Sequence, residues 1–437
     1  MKRDLYNKLL IWKQSASRKP LILNGARQVG KTWLLKEFGK NEYKSTALIS
    51  LDRDESAKKL FDSTTDTNAI VRGLSSLSGV DIKEKETLLI IDEIQECPNA
   101  LTALKFFAED LPNIHIAVAG SLLGVSLHQG NSYPVGKVDE LRLYPMTFSE
   151  FLEAMGKEKM VQLLKEGDWN LINALSDTFV DLLRQYYFVG GMPAAVSAYV
   201  SSNELITVRK IQQQILRDYE RDFSKYAPSV QVPRIKMVWN SIVSQLAKEN
   251  RKFIYNALKK GARAKDFELA IEWLIDAGLV SKVCLTRSVQ MPLKFYEDID
   301  CFKLFILDIG LLGAMAQTPA SAILVGDNIF KEYKGAFTEE FVFSQLCTTE
   351  IPIYYHSVEN SRIELDFVIQ VGTAVYPVEV KAEENVKAKS MRQFISNHPN
   401  LKGLRISMKP HIDQGWLENI PLFAIGEEIE RKNQSGL

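Results

Sequence analysis

Short apolar runs alternate with amphipathic stretches through the first 150 residues. The runs predict strands, and they lie at residues 21–24, 88–91, 114–119 and 141–143. Four consecutive apolar residues, as at 88–91, are typical of a strand that is buried on both faces of a parallel sheet. Residues 33–38 follow the first run and have the pattern of an amphipathic helix. This alternation of strands and helices predicts a doubly wound α/β domain over residues 1–150.

The pattern is helical from residue 151 to residue 230, and we expect a helical domain there. The sequence Gly190-Gly191-Met192-Pro193 interrupts it, because glycine and proline both break helices. Helical spacing returns at residues 235–248, 253–258 and 265–276, and a strand pattern begins at residue 279. We predict a winged-helix-like domain over residues 231–330. Its second helix should bury four apolar side chains, namely Phe267, Leu269, Ile271 and Leu274.

Four basic residues lie at the start of that second helix: Lys259, Lys260, Arg263 and Lys265. A recognition helix would contact nucleic-acid phosphates from this place. The alternative is a solvated basic turn in a domain that serves for packing. The overall charge favours this alternative, because 54 Lys and Arg residues balance 54 Asp and Glu residues.

The last domain, residues 331–437, combines a helix at residues 335–345 with a β-rich pattern. Residues 365–369 and 376–380 flank Gly372-Thr373, which suits a two-residue type II′ hairpin turn. In that register one face of the hairpin is apolar, with Leu365, Phe367 and Ile369 opposite Val380, Val378 and Tyr376. The other face places Asp366 opposite Glu379 and Glu364 opposite Lys381. Two carboxylates across a ladder repel each other, and a divalent cation between them would relieve the repulsion.

This polar face resembles the core of the PD-(D/E)xK nucleases. The resemblance implies that Asp366 and Glu379 bind Mg²⁺ and that Lys381 positions or activates the attacking water. It also implies that Glu339, on the preceding helix, is a third metal-binding acid. The alternative is a solvent-facing hairpin with a Glu364–Lys381 ion pair and no chemistry.

The composition of the 437 residues is that of a globular protein of about three domains. Its four cysteines are scattered without metal-ligand spacing, which suits a reducing compartment. The chain starts with a charged segment, and no apolar run reaches the roughly 18 residues of a membrane span. We therefore expect a cytoplasmic protein that is not embedded in a membrane.

A phosphate-binding motif joins the first predicted strand to the first amphipathic helix. The motif GxxxxGK[ST] comprises Gly25, Ala26, Arg27, Gln28, Val29, Gly30, Lys31 and Thr32. Its glycines let backbone N–H groups approach phosphate oxygens, and the helix N-terminus adds partial positive charge. We expect Lys31 to reach the β- and γ-phosphates of ATP and the Thr32 hydroxyl to bind Mg²⁺.

Two further strands end in polar residues that suit hydrolysis. Asp92 ends the strand at 88–91 and would hold Mg²⁺ directly or through water, and Glu93 could polarise the attacking water. Ser121 follows the strand at 114–119 and is our candidate sensor of the γ-phosphate. A plain Gly-Ser turn is an equally good interpretation of its spacing.

Together these motifs resemble the prokaryotic AAA-type P-loop ATPases that carry a C-terminal DUF4143 domain. The resemblance rests on the segments GARQVGKTWLLKEF, LLIIDEIQECPNALTALKFF, AVAGSLLGVSL, LYPMTFSEFL, YYFVGGMPAAV and GAFTEEFVFSQL. It implies a helical lid over the nucleotide at residues 151–230, with the Gly190–Pro193 break inside it; a simple helix stop is the alternative. One position departs from the family, because Lys137 stands where an arginine is usual. Lysine lacks the planar fork of arginine, so hydrolysis is expected to be slow or to use another arginine.

We therefore predict an ATP- and Mg²⁺-dependent ATPase that acts on nucleic acid and has a nuclease-like last domain. The rival prediction is a nucleotide-controlled switch that binds a protein, with the last domain as an inert recognition module. The sequence leaves open the substrate or partner, the oligomeric state and the source of any additional arginine.

Overall fold

A five-stranded parallel sheet carries the first part of the chain. In the computed structural model, which describes residues 1–121, 134–248, 252–324, 331–358, 363–382 and 389–435, its strands run β2-β3-β4-β1-β5. They are β1 Leu21–Asn24, β2 Ser45–Ser50, β3 Thr87–Asp92, β4 His115–Ala119 and β5 Asp139–Arg142. The α/β doubly wound prediction is confirmed, and the central strands β3 and β4 are buried on both faces as their apolar runs indicated. Strand β2 was not predicted, because its apolar run is only three residues long, Ala47 to Ile49, and polar residues flank it on both sides.

Helices cover this sheet. They are α1 Leu5–Gln14, α2 Lys31–Glu42, α3 Glu55–Ser63, α4 Thr67–Ser78 and α5 Pro98–Asp110. The sheet and these helices belong to one compact unit. It comprises residues 2–144, as far as they are described, together with residues 272–279. No helix in the described part of the chain is long and apolar enough to cross a membrane.

A second compact unit holds residues 145–271 and 280–437, as far as they are described. Its helices before the first strand are α6 Phe148–Ala154, α7 Glu158–Glu166, α8 Trp169–Ala174, α9 Ser176–Val189, α10 Pro193–Ser202, α11 Leu205–Tyr226 and α12 Val232–Leu246, and α13 Ala264–Asp276 begins in this unit. The later helices are α14 Ile309–Met315, α15 Ala320–Leu324, α16 Lys331–Leu346, α17 Lys389–Asn397 and α18 Ile425–Ser435. The helical prediction for residues 151–230 is confirmed.

The second unit is built on one mixed sheet of eight strands in the order β12-β13-β11-β10-β9-β8-β6-β7. The strands are β6 Val280–Thr286, β7 Glu297–Ile306, β8 Ile353–Ser357, β9 Glu364–Val371, β10 Ala374–Lys381, β11 Gly403–Ser407, β12 Ile412–Asp413 and β13 Leu417–Pro421. The β6–β7 hairpin of the middle segment joins the C-terminal strands through β8, where Leu285 pairs with Tyr355. One sheet therefore continues across the boundary that we predicted at residue 330, and the four-domain division stays a prediction.

The middle segment differs from the sequence prediction in two details. The helix expected at residues 253–258 is a single 3₁₀ turn, Tyr255–Ala257. On α13, Phe267, Ile271 and Leu274 are buried as predicted, but Leu269 is 66% exposed. The reason is the helical repeat, since position 269 lies about 200° around the helix from position 267. The winged-helix description stays a prediction.

The C-terminal hairpin has the predicted register. Phe367 pairs with Val378 and Ile369 pairs with Tyr376, around a turn in which Gly372 has a φ of +56°. Leu365 and Phe367 are fully buried, which identifies the apolar face. The regular ladder ends at the Phe367–Val378 pair, just before Asp366 and Glu379.

The Gly190–Gly191 break is held by a buried carboxylate. Helix α9 ends at Val189, and the Gly191 N–H donates to Asp308 Oδ2 at 2.5 Å. The other oxygen of Asp308 accepts from the Leu311 N–H at 2.9 Å and caps α14. Burial raises the pKa of Asp308 to about 6, although these backbone donors oppose the shift. These contacts give Asp308 a structural role at the break, and the lid over the nucleotide stays a prediction.

Asp308 keeps its proton up to about pH 6 in the folded protein, whereas an unfolded chain releases it near pH 4. Asp308 should therefore lower the free energy of unfolding as the pH rises from 4 to 6. We expect the wild type to lose about 2–3 kcal/mol more than Asp308→Asn between pH 4 and pH 7. Urea unfolding of both proteins across this range measures the difference. Burial raises the pKa of Glu340 in both proteins, and this effect of burial cancels in the comparison; the smaller effect of the Asp308 charge on Glu340 is part of the measured difference. Parallel stability profiles would show that Asp308 is already ionised at pH 4.

Candidate active site

The loop between β1 and α2 has the conformation that its glycines predict. Gly25 has a φ of +144°, and a Cβ on it would lie 2.3 Å from the Leu143 carbonyl oxygen. No other residue fits there, since such a contact with backbone cannot relax. The loop ends at Gly30, directly before the N-terminus of α2. This is the helix start at which phosphate binds in P-loop proteins.

Lys31 lies at this loop, and only 7% of its surface is exposed. Its ammonium group donates to the carbonyl oxygens of Gly25, at 2.9 Å, and Ala26, at 2.8 Å. Burial lowers the pKa of Lys31 to about 8, while Glu93 and Asp92 act to raise it. The lysine is thus held beside the loop amides with two acidic groups near it.

Thr32, in the first turn of α2, contacts Asp92, the last residue of β3. Thr32 Oγ1 donates to Asp92 Oδ2 at 2.8 Å, and burial raises the pKa of Asp92. Neighbouring oxygens around an octahedral Mg²⁺ with bonds of about 2.0–2.1 Å lie roughly 2.9 Å apart. The observed separation therefore suits two oxygens that share one Mg²⁺.

Glu93 is held by two side chains. Its backbone is left-handed, with φ +51° and ψ +49°, which costs a residue of this kind roughly 1–2 kcal/mol. Its Oε2 accepts hydrogen bonds from Ser121 Oγ, at 3.0 Å, and from Gln95 Nε2. Strand β4 lies between β1 and β3, so Ser121 comes from the strand between the phosphate loop and the acidic pair. The sequence prediction missed Gln95, whose only signal is its place two residues after Glu93.

Lys137 lies at the N-terminal end of the parallel strands, opposite the end that carries the phosphate loop. It forms an ion pair with Glu109 at 2.9 Å and lies two residues before the start of β5. The N–H of Asp139, the first residue of β5, donates to the Pro20 oxygen just before β1. The four residues of β5 span about 13 Å, so at least this distance separates the Lys137 backbone from the strand ends that carry the phosphate loop. Lys137 is therefore remote from the phosphate loop. Arg142, at the other end of β5, pairs in register with Asn24 and is exposed.

The C-terminal carboxylates have partners within the protein. Glu379 Oε1 forms an ion pair with Lys381 Nζ at 2.8 Å, and burial raises the pKa of Glu379. Asp366 Oδ2 accepts from the Val380 N–H at 2.7 Å, where the ladder has ended. These two acids lie near each other, as the hairpin register predicted.

Glu339 lies beside a buried lysine. Its Oε2 lies 3.5 Å from the ammonium group of Lys303, which is fully buried and also lies 3.8 Å from Glu364 Oε1. Among the residues that the structure describes, no three His, Cys, Asp or Glu side chains are grouped so as to hold a metal ion. The shared metal site of Glu339, Asp366 and Glu379 stays a prediction, and the structure places a lysine beside two of these acids, Lys303 beside Glu339 and Lys381 beside Glu379.

The comparisons with known proteins agree with this geometry. Residues 17–152 match the family model of an AAA domain, residues 180–322 match a domain of unknown function, DUF8612, and residues 334–421 match another, DUF4143. By its fold and its family match, the N-terminal part of the chain is an AAA-type P-loop domain. More specifically, the chain carries an AAA domain and a C-terminal DUF4143 domain, as the sequence resemblance implied. The nuclease-like description of the last domain stays a prediction.

Several solved structures are similar to parts of the chain. The Walker-type ATPase PABY2304 of Pyrococcus abyssi is 16% identical, with a TM-score of 0.47, over 72% of this chain and 95% of that one. The ORC1 protein of Aeropyrum pernix, in complex with DNA, is 14% identical, with a TM-score of 0.27, over 73% and 92%. The RuvB Holliday junction branch migration motor of Thermotoga maritima is 13% identical, with a TM-score of 0.32, over 67% and 90%. No curated protein is significantly similar to this chain.

Proposed function

We propose that this protein is a Mg²⁺-dependent ATPase that couples ATP hydrolysis to action on nucleic acid. The hydrogen bond between Thr32 and Asp92 carries the catalytic part, because it brings two Mg²⁺-type oxygens together beside Lys31. Bound Mg²⁺ would neutralise negative charge on the β- and γ-phosphate oxygens. Lys31 and the backbone amides of residues 25–32 would bind those phosphates.

Glu93 would align and polarise the attacking water. Ser121 and Gln95 both donate to Oε2, and this fixes the carboxylate plane. Among the described residues, Oε1 of Glu93 accepts no hydrogen bond, so that oxygen is available to a water molecule. Hydrolysis would then proceed through positioning and electrostatics, as in other phosphoryl transfers.

The nucleic-acid part of the proposal rests on the basic cluster, which we define as Lys259, Lys260, Arg263 and Lys265. All four residues are exposed, just before and in the first turn of α13. Within the described part of the chain, none of their side chains forms an ion pair. Four unpaired cations in seven positions form a local positive patch on a chain of zero net charge. Phosphate backbones bind such patches through counterion release.

Neutralising the basic cluster to glutamine should weaken nucleic-acid binding and flatten its dependence on salt. On duplex DNA the slope of log affinity against log salt should fall by up to about 3.6, or 0.9 for each lost phosphate contact. Titrations between 50 and 200 mM salt, with ATPase rates in the presence and absence of DNA or RNA, test this. The control neutralises four other exposed lysines, Lys59, Lys83, Lys157 and Lys159, and changes the net charge equally. Absence of salt-dependent binding in the wild type would contradict the proposal.

A second candidate function is a nucleotide-controlled switch that binds a protein through an inert C-terminal domain. The ion pair of Lys303 with Glu339 favours it, because it neutralises an acid that a nuclease would use for metal. In this case the basic cluster is a solvated turn.

The C-terminal domain can be tested for metal chemistry through Asp366→Asn. If the domain is inert, Mg²⁺ or Mn²⁺ without nucleotide should change the melting temperatures of wild type and variant equally, and neither should cleave DNA or RNA. A live metal site would stabilise the wild type more than the variant, by mass action on the folded state. Thermal melts at several metal concentrations, followed by cleavage assays, distinguish these outcomes. Asparagine retains an acceptor for the Val380 N–H, so the comparison isolates the charge.

A further inference from the structure

Arg3 is tied to the phosphate loop, although it lies before α1 and 22 residues upstream of Gly25. It is only 6% exposed. Its Nη1 donates to the Val29 carbonyl oxygen at 2.8 Å, and its Nη2 donates to the Tyr144 carbonyl oxygen at 2.5 Å. We propose that Arg3 is a positioning residue for the phosphate loop, which it holds in the conformation that binds the β- and γ-phosphates. This inference rests on the proposed ATPase function.

The first contact acts on a loop amide. The Val29 carbonyl belongs to the same peptide unit as the Gly30 N–H, and in a trans peptide the two groups point in opposite directions. A donor on the carbonyl therefore fixes the direction of the Gly30 N–H. It also polarises the peptide, which makes that N–H a stronger donor to a phosphate oxygen. The buried guanidinium adds a positive charge that solvent ions screen little.

The second contact ties the loop to the end of β5. Leu143 N–H donates to the Asn24 oxygen at 2.8 Å, and the Leu143 oxygen lies against Gly25. Residues 143–144 thus line the start of the loop. Arg3 joins this segment, through Tyr144, to the end of the loop at Val29. Arginine suits this role because its planar fork presents several donors at fixed angles, whereas a lysine ammonium is a single point.

The chain offers a matched control. Arg18 lies in the same unit and also donates to a main-chain oxygen, that of Pro112, at 3.0 Å. This contact does not involve the loop. Arg18→Gln therefore removes the same kind of contact and the same charge without touching the phosphate site.

We expect Arg3→Gln to raise the dissociation constants of ATP and ADP about 10-fold, since hydrogen bonds from charged groups have effects of this size. Arg3→Lys should raise them less, by about 3-fold. In steady-state assays KM should rise more than kcat falls, because Arg3 holds the loop and does not touch the reacting water. Arg18→Gln should match the wild type in each of these measurements.

A second readout needs no catalysis. In nucleotide-free protein, backbone hydrogen exchange of the segment that contains Gly30 should be faster in Arg3→Gln than in Arg18→Gln. A folded Arg3→Gln protein with wild-type nucleotide affinity and wild-type exchange would overturn the inference. If Arg3→Gln does not fold, Arg3→Lys decides by the same two measurements. If the wild type neither binds nor hydrolyses ATP, the proposed function fails, and the exchange experiment still judges the role of Arg3.

Discussion

Glu93→Gln should lose ATP turnover by about 100-fold or more and bind ATP within about twofold of the wild type. Removing a group that orients and polarises the attacking water typically costs a factor of 10²–10⁴. Binding should persist, because Lys31, Thr32 and Asp92 are untouched and glutamine still offers an oxygen to Ser121 and Gln95. Phosphate release gives the turnover, and a nucleotide titration gives the affinity.

The companion variant Lys31→Ala should show the opposite pattern. It removes the ammonium group that is held at Gly25 and Ala26 and should weaken ATP binding about 10- to 100-fold. Loss of turnover with retained binding in Glu93→Gln alone would support the assigned roles. Unchanged turnover in that variant would assign the base to another residue.

Gly191→Ala should destabilise the second unit by about 3 kcal/mol or more. A Cβ on Gly191 would lie 2.1 Å from the Met146 oxygen and 2.7 Å from the Met146 nitrogen. Both atoms are backbone, and the Met146 N–H already donates to the Gly191 oxygen at 2.7 Å, so the contact cannot relax without breaking this pairing. Substitutions that overfill a packed site are among those with the largest destabilising effects. Urea unfolding monitored by far-UV circular dichroism gives the free-energy difference.

Gly426→Ala is the matched control for that measurement. Gly426 lies in α18, where the atoms nearest to an added Cβ would be Cβ and Oε1 of Gln345 at 3.8 Å, an ordinary contact distance. Alanine is the better helix former, so this variant should be neutral or more stable by up to about 1 kcal/mol. Equal stability of the two variants would show that the turn at Gly191 has room for a side chain.

The phosphate loop and the polar strand ends beside it could be predicted from short-range signals. A loop that follows a buried strand and opens a helix needs glycine wherever backbone approaches closely, and Gly25 stands against the Leu143 oxygen for that reason. Asp92 and Ser121 could be placed because parallel strands expose their carboxyl ends at one edge. Gln95 could not, since its contact with Glu93 depends on the left-handed backbone of Glu93, which nothing in the residue types announces.

The metal prediction for the last domain depends on more than local sequence signals. The two-residue turn at Gly372-Thr373 sets the register, and the register places Asp366 beside Glu379. Whether such acids need a cation depends on what packs near them. Lys303 comes from β7, 36 residues before Glu339 along the chain, and no local pattern links the two positions.

The sequence by itself determined the elements and motifs whose causes lie within a few residues: the phosphate loop, the apolar strands of the parallel sheet and the C-terminal hairpin. The tertiary structure decided the contacts between distant positions, such as Asp308 with Gly191 and Arg3 with Val29. The physical reason is that side-chain periodicity reports which face of an element is buried, but not which element will cover it. That choice follows from packing of the whole chain, and it placed a carboxylate in the helix break and an arginine on the phosphate loop.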